Sequence, residues 1–131
     1  MGDWYTIGIL VGLGASIGVA CTGVLLRALA GFVVAAVVAV TLGLVFGQWD
    51  EAVGGLVGSA CGSFGSAPLV SGALRRGGTA LLLGLASLVG AALAFVPVVG
   101  YLEAAAVPLL GARLRRRSPD THAGLRTLAR D

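Results

Sequence analysis

The feature that most constrains this chain is its series of long apolar runs, each bounded by charged or aromatic residues. The longest run extends from Gly77 to Ala112 and contains one charged residue, Glu103. As a single straight helix it would measure roughly 54 Å, whereas the hydrocarbon core of a bilayer is about 30 Å thick. A water-soluble domain could not bury such runs, so the sequence predicts an integral membrane protein.

The composition indicates the same class and argues against a nucleic-acid partner. The chain has 57% hydrophobic and 11% charged residues, whereas a soluble domain has about 25% charged residues. All of its basic residues are arginine, and the net charge is +3. Most of these arginines follow residue 112, directly behind an apolar run. A basic cluster in this position is typical of a topology determinant beside a lipid bilayer.

Charged and aromatic residues divide the chain into five expected spans, so we expect an all-α bundle of five transmembrane helices. Pro97 divides the last long run, because it lacks an amide hydrogen and clashes with the preceding helical turn. The expected spans are residues 5–26, 29–47, 52–74, 79–96 and 99–114, and residues 118–131 are expected to form a short cytoplasmic tail.

Two of these spans leave an alternative open. Residues 52–74 are uncharged but only weakly hydrophobic, with many glycines and serines and with Pro68. This composition suits a helix surrounded by other helices, and a re-entrant or broken element is the alternative. Residues 99–114 are short for a span. Their alternative is the second half of a kinked fourth helix that lies along the inner surface.

The charge pattern favours five crossings with the N-terminus outside. Asp50 and Glu51 then lie outside, and the arginines lie in the cytoplasm, as the positive-inside rule requires. An even number of crossings would leave the last arginine cluster outside. The residues expected to set the topology and contact lipid headgroups are Arg27, Arg75, Arg76, Arg113, Arg115, Arg116 and Arg117.

Small residues recur at every fourth position in the first three spans. This spacing places them on one slowly drifting face of each helix, where they allow close backbone approach in lipid. The pattern resembles the glycine-zipper motif GxxxGxxxG and predicts packing within one chain or, less favoured, between copies. The helix-packing residues expected are Gly8, Gly12, Ser16, Ala35, Ala39, Gly43, Gly54, Gly58 and Gly62.

The sequence offers no recognisable catalytic, cofactor or metal site. Its one histidine, His122, lies in the tail, and neither cysteine has a partner motif. We therefore expect no enzyme activity, cofactor or metal. Glu103 is the one ionisable residue inside an apolar run. It is expected about one turn below the outer surface, and the alternative is that it lines a proton or ion route with Tyr101, Ser87 and Thr41.

The sequence predicts a location more clearly than an activity. We expect a multi-pass protein of the cell membrane with a cytoplasmic C-terminus, in contact with the lipid bilayer. The favoured function is a structural or accessory membrane subunit assembled through glycine-rich faces, as a homo-oligomer or in a larger complex. The alternative is a small oligomeric channel, holin-like pore or transporter for a proton, ion or small solute.

Overall fold

The computed structural model describes residues 3–25, 27–46 and 49–117, and the expected tail at 118–131 lies outside these ranges. The described residues form helices and contain no strand, which confirms the expectation of an all-helical chain. In chain order the helices are α1 (Asp3–Leu25), α2 (Ala28–Val45), α3 (Trp49–Arg75), α4 (Ala80–Leu93) and α5 (Pro97–Arg117).

Four of the described helices are long and apolar enough to cross a membrane, namely α1, α2, α3 and α5. The helix α4 has only 14 residues, fewer than the 79–96 span expected. The third expected span is one unbroken helix of 27 residues that continues through Pro68. The last run is not one kinked helix, because the chain leaves α4 after Leu93 and begins α5 at Pro97.

The first three helices form an up–down–up unit. The contacts of α1 with α3 advance in the same direction along both helices, since Gly58 lies against Val11 and Gly62 against Ala15. The helix α2 runs the opposite way, because the first half of α2 meets the end of α1 and Gly43 meets Ala52 at the start of α3. Thus α1 and α3 are parallel, with α2 antiparallel to both.

The helices α4 and α5 continue this alternation against α1. Leu83, near the start of α4, lies beside Gly23, and Ala94 lies beside Gly12, so α4 is antiparallel to α1. The helix α5 is parallel to α1 and α3, and it packs against both of them. As a result, α1 lies at the centre and contacts the other four helices.

The connection between α3 and α4 shows why glycine follows the arginine pair. Gly77 has a φ of 85°, a left-handed conformation that costs glycine little. The amide of Gly78 donates to the Ala73 carbonyl at 2.9 Å, and the amide of Gly77 donates to the Leu74 carbonyl at 3.2 Å. This is a Schellman motif, which ends α3. The Thr79 side chain then accepts from the Leu82 amide and caps α4.

The interior of the bundle is made of small side chains, and the bulky aliphatic side chains point outward. The largest fully buried side chains are serines, and the buried apolar residues are mostly alanine. On α2 the buried residues are Gly31, Ala35, Ala39 and Gly43. Valine and leucine side chains are exposed on every described helix. This inside-out distribution suits a surface that faces lipid.

Candidate site at Glu103 and the glycine-rich helix faces

The nine residues predicted to pack helices are all buried. The closest approach is between α1 and α3, where a methyl group on Gly58 would overlap the Val11 carbonyl and one on Gly62 would overlap the Ala15 carbonyl. Gly54 lies against Ile7 in the same way, with more room. These glycines therefore face another helix of the same chain.

The small-residue faces of α1 and α2 also pack against other helices of the chain. Gly8 contacts Pro97 of α5, and Gly12 contacts Ala94 and Gly100. The α2 face packs on α3, where Ala39 lies against Gly55. The small-residue faces are thus occupied by neighbouring helices within one molecule.

Hydroxyl groups add hydrogen bonds across the α1–α3 contact. Thr22 Oγ1 donates to the Ser63 carbonyl, and Ser63 Oγ donates to the Gly18 carbonyl, both at 3.4 Å. Ser59 Oγ donates to the Gly55 carbonyl of its own helix at 2.8 Å. The buried serines of α3 are therefore satisfied by backbone carbonyls, which makes their burial tolerable in a low-dielectric interior.

Glu103 has a specific partner on another helix. Ser16 Oγ of α1 donates to Glu103 Oε1 at 2.8 Å. Glu103 Oε2 is buried and has no hydrogen-bond partner within the described part of the chain. Gly90 of α4 leaves the space for this carboxyl group, because a methyl group there would lie 2.5 Å from Oε1. The site therefore joins α1, α4 and α5 around one carboxyl group.

The level of this carboxyl group differs from the sequence-based expectation of one turn below the outer surface. Ser16 lies about 20 Å from Asp3 and about 14 Å from Leu25 along α1, at a rise of about 1.5 Å per residue. The carboxyl group of Glu103 is therefore close to the middle of the central helix. Burial of an acid at this level is costly and is a common mark of function in membrane proteins.

A groove lies next to the site. It has a volume of about 180 Å³ and runs between α1 and α4, where its lining includes Ser16, Ala20, Ser87 and Ala91. Ser16 is thus shared by the groove and the carboxyl group. Ser87 Oγ donates to the Leu83 carbonyl at 2.8 Å, so the second hydroxyl of the groove is engaged by its own helix.

Two side chains of the predicted ion route, Tyr101 and Thr41, do not converge on Glu103. Tyr101 extends toward the start of α1, where its hydroxyl donates to the Trp4 carbonyl at 3.0 Å. Thr41 is exposed on α2 and donates to the Val37 carbonyl at 2.7 Å. The structure therefore brings together Glu103, Ser16 and Gly90.

Sequence reasoning missed two features of the acids. It placed Glu51 on the outer side without foreseeing its burial: Glu51 is 5% exposed, and its Oε2 has no partner among the described residues. It also missed the pairing of Glu103 with Ser16. The stripe at Gly8, Gly12 and Ser16 marks the correct face of α1, yet spacing within one helix does not reveal which distant residue it meets.

The described arginines lie where helices end on one side of the bundle. The parallel helices α1, α3 and α5 end at Leu25, Arg75 and Arg117, and α2 begins after Arg27. The four arginines of α5 belong to its last turns. The arginines of this end are Arg27, Arg75, Arg76, Arg113, Arg115, Arg116 and Arg117, all of them exposed.

No group of three or more His, Cys, Asp or Glu side chains that could hold a metal ion occurs in residues 3–25, 27–46 and 49–117. Cys21 and Cys61 are free thiols and are both partly buried. Comparison with protein-family models, with curated proteins and with solved structures found no match.

Proposed function

We propose that the chain is a multi-pass protein of the cell membrane that serves as a structural or accessory subunit of a membrane complex. The observation that carries this proposal is the distribution of side chains between the interior and the surface of the bundle. Small residues form the contacts between helices inside the molecule, and the outward faces of the helices are aliphatic. Buried hydroxyls of α1 and α3 mainly bond backbone carbonyls, whereas a selective conduit lines its pore with polar groups that coordinate the ion.

In this proposal the partner is another membrane helix that packs on an outward face of the bundle. The glycine faces build the subunit itself, so they are not available to the partner. The exposed surface of α5 offers both large and small apolar residues, such as Leu102, Ala105, Ala106 and Leu109. This mixture allows dispersion contacts and close approach, which drive helix association in lipid.

Photo-crosslinking in native membranes tests this function. A photoreactive side chain at Leu102 or Leu109 should give one discrete protein adduct, with the same mass from both sites. The matched control is Val37 on α2, which is 62% exposed and lies on a different helix. Lipid adducts alone at all three positions, together with a monodisperse single chain after mild solubilisation, would contradict the subunit proposal.

The orientation belongs to the same proposal, with the N-terminus outside and the arginine end in the cytoplasm. Its support is the positive-inside rule. In a variant with Cys21→Ala and Cys61→Ala, a single cysteine at Asp50 should react with an impermeant maleimide on intact cells. A single cysteine at Arg76 should react only in inside-out vesicles. The reverse labelling pattern would invert the orientation.

A second candidate function is the movement of a proton or small cation through the Glu103 site, and the bond between Ser16 and Glu103 is what favours it. Acidic residues inside membrane segments often mark ion or proton pathways, and one carboxyl oxygen of Glu103 has no partner among the described residues. If it operates, Glu103→Gln should abolish flux in proteoliposomes, whereas Asp50→Asn at the helix end should not change it. Equal flux from wild-type protein, Glu103→Gln and empty liposomes would exclude this candidate.

A further inference from the structure

The turn between α4 and α5 lies well below the end of the bundle formed by Asp3 and Trp49. Pro97 packs on Gly8, and Ala94 packs on Gly12. Along α1 these two glycines lie about 8 Å and about 14 Å from Asp3. The outer end of the bundle is marked by Trp4 and Trp49, which are both exposed and are typical of the headgroup level. The turn therefore lies deeper than the interface.

We propose that α4 and α5 form a re-entrant hairpin that enters the membrane from the arginine end and turns back within the hydrocarbon core. Three helices, α1 to α3, then cross the bilayer completely. The helix α5 is also long enough to span, but it begins at the turn inside the core, and its 21 residues carry the chain back past the arginine end. The hairpin returns the chain to the side from which it came, so Arg76 and Arg117 lie on the same side. This inference rests on the membrane location proposed above but not on the subunit function.

Helix length supports the hairpin. With 14 residues, α4 is about 21 Å long, which is too short for a hydrocarbon core of about 30 Å. By contrast, α1 has 23 residues and is about 35 Å long. Since α4 begins beside the end of α1, it stops roughly two-thirds of the way along its neighbour.

The side chains of the turn are those of a lipid-facing segment. From Ala94 to Val99 the chain has no polar or charged side chain, and Phe95, Val96 and Val98 are exposed by 62%, 53% and 56%. A turn in water is usually built from Gly, Asn, Asp or Ser. The two ends of α3 differ, since Asp50 lies in its first turn and the arginine pair lies where it ends.

The backbone hydrogen bonds of the turn also suit an apolar environment. The amides of Ala94 and Val96 donate to carbonyls of α4 at 2.9 and 3.0 Å, and the amides of Val99 and Gly100 donate to the Val96 carbonyl at 2.9 and 3.1 Å. Pro97 has no amide hydrogen to satisfy. Non-helical backbone at membrane depth is tolerated where it packs on protein, and α1 covers the inner side of this turn at Gly8 and Gly12.

Spin-label accessibility measures the depth of the turn. In the variant lacking both native cysteines, a nitroxide is attached at Phe95→Cys, and collision with oxygen is compared with collision with a water-soluble nickel chelate in liposomes. The matched controls are Val37→Cys, which is equally exposed at the middle of α2, and Asp50→Cys at the outer end. We expect Phe95→Cys to resemble Val37→Cys, with oxygen access well above nickel access.

A turn exposed to the aqueous side would make Phe95→Cys resemble Asp50→Cys, and the hairpin would be rejected. Val98→Cys gives a second reading of the same turn if Phe95→Cys fails to fold. An impermeant maleimide added to both sides of the membrane should leave either turn cysteine unreacted, and detergent should restore the reaction. Inverted labelling at Asp50 and Arg76 would refute the proposed orientation without changing the depth result.

Discussion

Gly58 provides the sharpest test of packing by a single residue. A methyl group on its Cα would overlap the carbonyl oxygen and carbon of Val11, and these are backbone atoms of α1 that cannot rotate away. Gly58→Ala should therefore push α1 away from α3 and lower the free energy of unfolding by about 1–3 kcal/mol. Reversible denaturation of the purified protein in detergent would measure the loss.

Gly72 is the matched control on the same helix. Nothing lies within 4 Å of a methyl group built at this position. Gly72→Ala should therefore keep or raise the stability, by up to about 1 kcal/mol from helix propensity alone. Equal losses in the two variants would show that glycine content, and not the contact with Val11, determines stability.

The residue scale also shows what sequence can and cannot predict. The stripe at Gly54, Gly58 and Gly62 is readable because its spacing follows the helical period, and a small residue is required wherever two backbones meet. The pairing of Ser16 with Glu103 joins residues 87 positions apart. Local spacing holds no information about such a pair, which depends on how α5 docks on α1.

At the scale of helices, the packing of the hairpin on α1 can be tested at Ala94. Ala94 is fully buried, and its Cβ lies 2.6 Å from a methyl group built on Gly12, so the turn is held by a close contact. Ala94→Leu should push the hairpin away from α1 and lower the unfolding temperature, with a cost of about 1–3 kcal/mol for overpacking. Thermal unfolding in detergent measures this change.

Ala92 is the control for this element, because it is exposed near the end of α4. Ala92→Leu adds the same side chain to the same helix without a neighbour to displace, and it should leave the unfolding temperature almost unchanged. A similar loss in both variants would mean that the added leucine disturbs α4 itself and not its contact with Gly12.

The helices themselves were more predictable than their lengths. Arg27, the pair at Arg75 and Arg76, and Pro97 mark the chain breaks. The arginines end apolar runs for local reasons, whereas proline alone does not decide, since Pro68 lies inside α3 and Pro108 inside α5. The depth of the Pro97 turn is not local. It follows from Gly8 and Gly12 on α1, which accept the turn below the end of the bundle, and so the sequence alone suggested a full span at 79–96.

On the scale of the whole molecule, α1 is the central helix, and its small-residue faces determine where the other helices pack. Its face at Gly8, Gly12 and Ser16 receives the hairpin, and its face at Val11 and Ala15 receives α3. A helix that packs closely against neighbours on several sides has room for few bulky side chains, which explains the small side chains of the interior. The bulky aliphatic residues then lie on the outside of the bundle.

The gathering of arginines at one end predicts a dependence on lipid charge. Guanidinium groups near the surface of an anionic membrane are attracted to its headgroups, and salt weakens this attraction. Thermal stability in nanodiscs should therefore be higher with anionic than with zwitterionic lipid, and added salt should reduce the difference. Replacing Arg115, Arg116 and Arg117 by Gln should remove most of the increment, whereas Asp3→Asn at the opposite end should preserve it. An increment that survives the triple replacement would place the lipid contact elsewhere on the molecule.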